Sequence, residues 1–353
     1  MEKLSFSDIK NGCRPFIVAE ISGNHNGSIQ RAKKLIDIAY QAGVDAIKLQ
    51  TFTANTITLD TNENEFWVSD KENLWQGQSL HQLYEKAATP WEWHQELFDY
   101  CHQKNLLCFS SPFDETAVDF LESINCPAYK IASFELVHIP LIEYAAKTGK
   151  PIIMSTGMAS EQEIHEATSA ARSAGAKQII LLKCTSAYPA KIADANLLTL
   201  PDMQEKFNCP IGLSDHTLGI TVPIVATVLG AVLIEKHITI DRNDGAVDSA
   251  FSLQPDELSQ LVASVHSSWS ALGEITYGGS QNEEKSKMYR RSIYANRAIE
   301  KGELFSSKNL TIVRPALGLA PKYMKDILGK KAATNIPMNS AISWQQVTNN
   351  KQE

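Results

Sequence analysis

The chain has 353 residues, of which 43% are hydrophobic, 21% charged and 8% aromatic, an ordinary globular composition that excludes an intrinsically disordered chain or a coiled coil. Its formal charge is -7, from 33 Lys+Arg against 40 Asp+Glu, and no long basic run occurs, so no nucleic-acid groove is expected. No apolar run approaches the roughly 20 residues that a membrane helix needs, and the N-terminus lacks the apolar centre of a signal peptide. The six cysteines are scattered and form no CxxC pair, which points to reduced thiols in a cytoplasmic protein with no membrane partner. The length suits about two domains, or one large barrel with a small appendage.

Along the chain, short aliphatic and β-branched runs predict strands at 16–22, 46–50, 106–111, 128–132, 151–156, 179–185, 210–216 and 232–238. Helical patterns lie between them, as at 30–42, 114–123 and 161–174, and Gly43, Gly149 and Gly175 mark helix ends. Any βα alternation also suits a doubly wound open sheet, but eight units favour closure into a (β/α)8 TIM barrel. The stretch 51–105 is too long for one βα unit and predicts an excursion near the barrel mouth before a helix around 92–103. Phe66, Trp67 and Trp75 in that stretch are candidates to pack over a site. Residues 1–280 are assigned to the barrel, the polar stretch 281–292 to a linker, and 293–353, with short apolar runs broken by Gly302, Gly318 and Gly329, to a small mainly-β domain.

Barrel strands point alternate side chains inward, and catalytic groups gather at their C-terminal ends. A charge inside an apolar strand needs a partner or a ligand, because burying it alone is costly. By this parity Glu20, Lys48, Gln50, Ser214, His216, Glu235 and His237 are all predicted to point into one mouth. Lys130 belongs to the fourth strand, and Ser133 and Glu135 have the opposite parity, so they join it only if that strand has already ended. A lone strand Lys or Glu usually serves in a structural ion pair, and a lone His usually in a satisfied core contact. Two His, two Lys and a Glu at matching strand ends point instead to a shared polar site. Two imidazoles suit an open, exchangeable divalent-metal site rather than a closed structural one. The lysines, with Ser111, Ser133, Ser155 and Ser214, suit a small anion such as a phosphate or carboxylate. Neither GxxxxGK[ST] nor G-x-S-x-G occurs, which disfavours a P-loop site and a hydrolase elbow.

The segments FIVAEISGNHNG (16–27), AIKLQT (46–51), SSPFD (110–114), YKIASFE (129–135), MSTGM (154–158), CTSAYP (184–189), GLSDHTLG (212–219), IEKHIT (234–239) and DGAVDSAFSL (244–253), in this order, resemble the sialic acid synthase family. Residues 293–350, with Val313-Arg314-Pro315, resemble its antifreeze-like (SAF) domain. The resemblance implies a transferase that condenses phosphoenolpyruvate with an acylated amino-sugar to give a nonulosonic acid. EISGNHN, TITLD (56–60), the stretch 74–94 and CTSAYP are similar to the pseudaminic branch, whose sugar is 2,4-diacetamido-2,4,6-trideoxy-L-altrose. The neuraminate branch typically carries Asn where Ser186 stands and Arg where Lys236 stands; N-acetylneuraminate and legionaminate synthases are the alternatives within the family.

The family's roles, carried over by motif, imply that Lys48, Ser111, Lys130, Ser133, Ser155, Ser186 and Ser214 hold phosphoenolpyruvate. His216 and His237 would bind Mn2+, Mg2+ or Co2+. Glu20, Gln50, Tyr188 and Asp248 would face the sugar, Glu20 also counting among the catalytic groups, and Glu135 would sit beside the reacting carbons. Arg314 would reach the sugar from the partner subunit of a domain-swapped homodimer. Two readings of other classes stand beside this one: a Schiff-base aldolase using Lys48 or Lys130 on pyruvate, and a non-catalytic sugar-binding barrel.

Overall fold

A computed structural model of the chain describes residues 5–71 and 73–348. Residues 1–4 and 349–353, the outer ends of the two expected domains, lie outside the described residues. Among the described residues eight parallel strands close into a barrel in sequence order: β1 (Phe16–Glu20), β2 (Ala46–Thr51), β3 (Leu107–Pro112), β4 (Tyr129–Ile131), β5 (Ile152–Ser155), β6 (Ile179–Cys184), β7 (Ile211–Asp215) and β8 (Leu233–His237). These are the eight predicted runs, most of them trimmed by one or two residues at one or both ends, while β2 and β3 each run one residue further at the C-terminal end. The run at 16–22 leaves strand geometry after Glu20 and turns through a 3-10 helix, Ser22–His25.

Because every strand is covered on both faces, the strands read as apolar runs rather than alternating ones. Ile17, Ala19, Ile47 and Leu49 face outward and pack on the helices Ile29–Ala42, His94–Gln103 and Pro255–Leu272. Val18, Ala46 and Phe109 face inward. At the N-terminal end of the barrel, Phe6 plugs the interior, its ring 5.3 Å from Phe16 and 4.7 Å from Phe109. Such fully buried aliphatic and aromatic side chains each contribute about 1.5–3 kcal/mol. The helices start and stop on local signals. Ser28 and Ser160 accept backbone N–H bonds at two N-termini, while Gly43 and Gly175 end the same two helices with φ of 83° and 112°, which a Cβ would disfavour.

The excursion between β2 and β3 holds two short helices, Ala54–Ile57 and Leu80–Ala87, before the helix that begins at His94. The chain divides into two compact units between Gly273 and Glu274. In the second unit, residues Glu284–Tyr289 make 3-10 turns, and β9 (Ser292–Ala295) pairs antiparallel with β10 (Leu310–Val313). Ile293, Ile299, Phe305, Leu310, Ile327 and Ile342 form its core. No helix among the described residues is long and apolar enough to cross a membrane.

Candidate active site

The register of the barrel brings the inward polar residues to one level. Glu20 is paired in register with Lys48 on one side and His237 on the other, Gln50 with Ser111, and Ser214 with both Cys184 and Glu235. A buried ionic network results. Lys48 forms an ion pair with Glu20 and lies 3.2 Å from Glu235, and Lys130 lies 3.7 Å from the same Glu235 oxygen. The Gln50 amide donates to Glu20 at 3.0 Å, and the Ser214 hydroxyl donates to Glu235 at 3.0 Å. Burial pulls the Lys48 ammonium down to about 8, opposed by Glu235 and reinforced by Lys130. Burial pushes Glu235 up, but Lys130 and Lys48 overcome it and hold the carboxyl at about 2. Four charges out of water are expensive, so this network is weak evidence for stability and better evidence for a site.

The fourth strand settles the parity conflict at Ser133 and Glu135. β4 stops at Ile131, and Ser133–Glu135 form a 3-10 turn, so both side chains join Lys130 at the mouth. Ser133 Oγ accepts the Gly157 N–H at 3.1 Å. Glu135 has an oxygen without a hydrogen-bond partner, and burial raises its carboxyl from 4.5 to about 7 against the pull of Lys130. Ser155 Oγ and one oxygen of Glu235 are likewise buried and without a hydrogen-bond partner.

The two imidazoles lie with ring centroids 5.3 Å apart. His216 Nδ1 is 3.0 Å from the Thr185 carbonyl oxygen, which only accepts, so that nitrogen carries a proton; burial pulls this imidazole down, but Cys184 and the Thr185 carbonyl outweigh it and raise it above its ordinary value. His237 Nδ1 is held by Ser22 Oγ at 3.2 Å, and burial, with His216 next, keeps its ring well below the usual range for charging. Phe251 packs edge-on against both rings, and Tyr188 lies 4.5 Å from His216. Oriented imidazoles with a free Nε2 fit an open two-histidine metal site. No group of three or more His, Cys, Asp or Glu among the described residues is placed to hold a metal ion, so a closed protein-only cage does not fit. Cys184 Sγ lies 3.8 Å from His216 Nδ1; burial pushes this thiol up, and His216 draws it down to about 7.

A cavity of about 470 Å3 opens over these groups, in the range of small-molecule sites. Of the residues expected at the site, it is lined by Lys48, Gln50, Lys130, Ser133, Glu135, Ser155, Tyr188, Ser214, His216, Glu235, His237 and Asp248. Glu20 is fully buried and reaches the cavity only through its partners Lys48 and Gln50, and Ser111 stands 3.5 Å from the Lys48 ammonium. Ser186 lies off the wall, its hydroxyl 3.7 Å from Cys184 Sγ. Arg314 belongs to the second unit, where it is exposed. Of the three aromatics expected to cover the site, Trp75 does so, donating its indole N–H to the Val247 carbonyl at 3.0 Å with its ring 5.8 Å from Tyr188. Phe66 and Trp67 lie outside the lining. Sequence reasoning missed the apolar wall, built by Ile57, Val68, Leu80 and Leu83 of the excursion with Phe113 and Phe251. These residues carry no charge, and only Leu80 and Leu83, on the helix Leu80–Ala87, have a helical spacing that shows in the sequence.

Residues 35–277 match the NeuB family and residues 290–348 match the SAF domain. A pseudaminic acid synthase from Helicobacter pylori is 44% identical over 334 residues, covering 94% of this chain and 98% of that protein. An N,N'-diacetyllegionaminic acid synthase from Campylobacter jejuni is 37% identical, covering 93% of this chain and 99% of its own. Among solved structures, N-acetylneuraminic acid synthetase from Leptospira borgpetersenii in complex with citrate superposes with a TM-score of 0.71 at 32% identity, over 82% of this chain and 96% of that one.

Proposed function

The chain belongs to the NeuB family, and from that premise we propose that it acts as a pseudaminic acid synthase, condensing phosphoenolpyruvate with 2,4-diacetamido-2,4,6-trideoxy-L-altrose to give pseudaminic acid and phosphate. The observation that carries the reading is one cavity that gathers two ammonium groups, two oriented imidazoles and an unpartnered carboxyl from several strand ends. Identity of 42–44% with three pseudaminic acid synthases supports the choice of sugar over the legionaminate and neuraminate alternatives.

Phosphoenolpyruvate brings a phosphate and a carboxylate into one small site. Lys48 and Lys130 neutralise them, while Ser133, Ser155 and Ser214 offer hydroxyl donors. Ser155, which has no hydrogen-bond partner of its own, is free to donate. Ser111 and Ser186 then act from behind, through Lys48 and Cys184. Gln50, Tyr188 and Asp248 face the open-chain sugar, with Glu20 fixing Lys48 and Gln50. The C3 carbon of phosphoenolpyruvate attacks the aldehyde carbon, forming the new carbon–carbon bond; the carbonyl π pair moves onto the aldehyde oxygen, which takes up a proton to become a hydroxyl, and a cationic centre is left at C2. Water adds at C2, and Glu135, poised near neutrality, takes its proton. The tetrahedral intermediate then expels phosphate with the electron pair of the C2–O bond. A divalent ion, Mn2+, Mg2+ or Co2+, would be held by His216 and His237 and would supply Lewis-acid polarisation of the aldehyde oxygen.

The barrel through residue 280 is the catalytic domain in this reading, 281–292 the linker, and 293–353 the SAF domain, whose Arg314 reaches the sugar of a partner subunit in a domain-swapped homodimer. Exposed Phe134, Val137, Met158 and Leu218 on the loops after β4, β5 and β7 give such a partner an apolar rim to cover. Six free cysteines, five of them buried, suit the reducing cytoplasm.

The test is phosphate release from phosphoenolpyruvate, with Mn2+ and with chelator, across the L-altrose sugar, its D-mannose counterpart and N-acetylmannosamine. Metal-dependent release with the L-altrose sugar is expected. Release with another sugar alone would replace the acceptor, and silence with all three would overturn the reading.

A further inference from the structure

We infer that the excursion between β2 and β3 forms a methyl-selective wall, through which Ile57 and Val68 recognise the deoxygenated C6 end of the acceptor. The inference rests on the proposed condensation and adds the part of the sugar that this wall reads.

The cavity is chemically divided. Its floor, made by strand ends, carries the ammonium, imidazole and hydroxyl groups; Ile57, Val68, Leu80 and Leu83 are contributed by the excursion alone. The reacting aldehyde carbon must meet phosphoenolpyruvate at the polar floor. C6 is the carbon farthest along the sugar chain from that aldehyde, so it extends toward the wall that the excursion supplies. A methyl group there removes apolar surface from water on both partners. A hydroxymethyl group would instead set a hydroxyl against Ile57 and Val68, which offer it no partner, while Asn73 and Tyr84 are the polar side chains of the same excursion that line the cavity.

The wall is fixed before any ligand arrives. Val68 exchanges backbone hydrogen bonds with Gln78 and Gly77 at 3.0 and 2.9 Å, and Trp67 bridges to Ser79 beside it. Trp75 ties the same segment to the loop after β8 through Val247. Leu80 and Leu83 stand on the helix Leu80–Ala87, which is N-capped by Ser79. A preorganised apolar surface of this kind discriminates without paying for ordering on each binding event.

Magnitude limits what such a wall achieves. An apolar pocket rejects an otherwise identical ligand bearing one extra hydroxyl by roughly 100-fold at best. The test is therefore a ratio: kcat/KM for the 6-deoxy acceptor against its 6-hydroxy counterpart at saturating phosphoenolpyruvate. It is measured for the wild type, Val68→Thr, Ile57→Thr and Val68→Ala. The wild type should favour the 6-deoxy sugar by roughly 10- to 100-fold. Each threonine variant, isosteric or nearly so, should narrow that ratio by roughly 10-fold with the KM for phosphoenolpyruvate unchanged. Val68→Ala, which keeps the wall apolar, should retain a preference for the methyl. A wild-type ratio near one, or threonine variants that slow both acceptors equally, would overturn the inference. A 6-deoxy sugar of the D-manno series used in place of the L-altro sugar would sink the stereochemical assignment alone and leave the methyl wall standing.

Discussion

Glu135→Gln should move activity and stability in opposite directions, with a pH dependence that the structure fixes. Burial raises the Glu135 carboxyl from 4.5 to about 7, so the folded protein binds this proton more tightly than the unfolded chain does. Stability from the group is therefore full below pH 4.5 and is lost as pH rises through about 7. At 1.36 kcal/mol per pH unit, the loss by pH 8 is on the order of 3 kcal/mol. Glutamine keeps the shape and never ionises. The variant should therefore be more stable than the wild type by up to about 3 kcal/mol at pH 8 and by under about 1 kcal/mol at pH 5. Its turnover should fall roughly 100- to 10,000-fold, the usual contribution of a positioned general base. The acid limb of the wild-type pH profile, with a midpoint near 7, should vanish. Urea denaturation at the two pH values and kcat/KM from pH 5 to 9 read all three effects. A variant as active as the wild type, or one less stable at pH 8 than at pH 5 relative to it, would refute the assignment of a buried, poised carboxyl.

Lys48→Met leaves Glu20 and Glu235 without their shared cation. Breaking such a buried pair costs about 3–5 kcal/mol, so chemical denaturation at pH 7.5 should register a loss of that size; a change under about 1 kcal/mol would contradict the network. His237→Ala should weaken binding of Mn2+ alone by roughly 100-fold or more, since loss of an outer hydrogen-bond partner by itself costs 10- to 100-fold; unchanged calorimetric affinity would remove His237 from the metal site. Trp75→Phe leaves the Val247 carbonyl without its indole donor. At about 1 kcal/mol for that hydrogen bond, acceptor kcat/KM should fall roughly fivefold with the phosphoenolpyruvate KM untouched.

Much of this architecture is legible in the sequence because each strand carries two periodic messages. Ile17, Ala19, Ile47 and Leu49 face the helices, and Glu20, Lys48, Ser214 and His237 interrupt the opposite face, where only a functional level at the barrel mouth accounts for charge. Parity alone misplaces Ser133 and Glu135, because the short length of β4 is set by pairing with β3 and β5 rather than by its own residues. Glu20, which parity places on the inward face, and Ser111, expected among the hydroxyl donors, both stand behind Lys48, since depth along the barrel depends on side-chain length and on which group each one pairs with. Apart from Leu80 and Leu83, the apolar wall escapes any periodic reading. Ile57 ends a helix of only four residues and Val68 sits in irregular backbone, in an excursion tied down by tertiary hydrogen bonds such as that from Trp75 to Val247.

The central claim is that phosphoenolpyruvate and a divalent ion share the floor of this cavity. A crystal structure of the protein with Mn2+ and phosphoenolpyruvate tests it most directly, with anomalous scattering to locate the metal. The account predicts manganese on the Nε2 atoms of His216 and His237, and the phosphate and carboxylate groups on Lys48, Lys130 and the hydroxyls of Ser133, Ser155 and Ser214. Manganese bound away from the two histidines, or phosphoenolpyruvate bound without contact to either lysine, would contradict it.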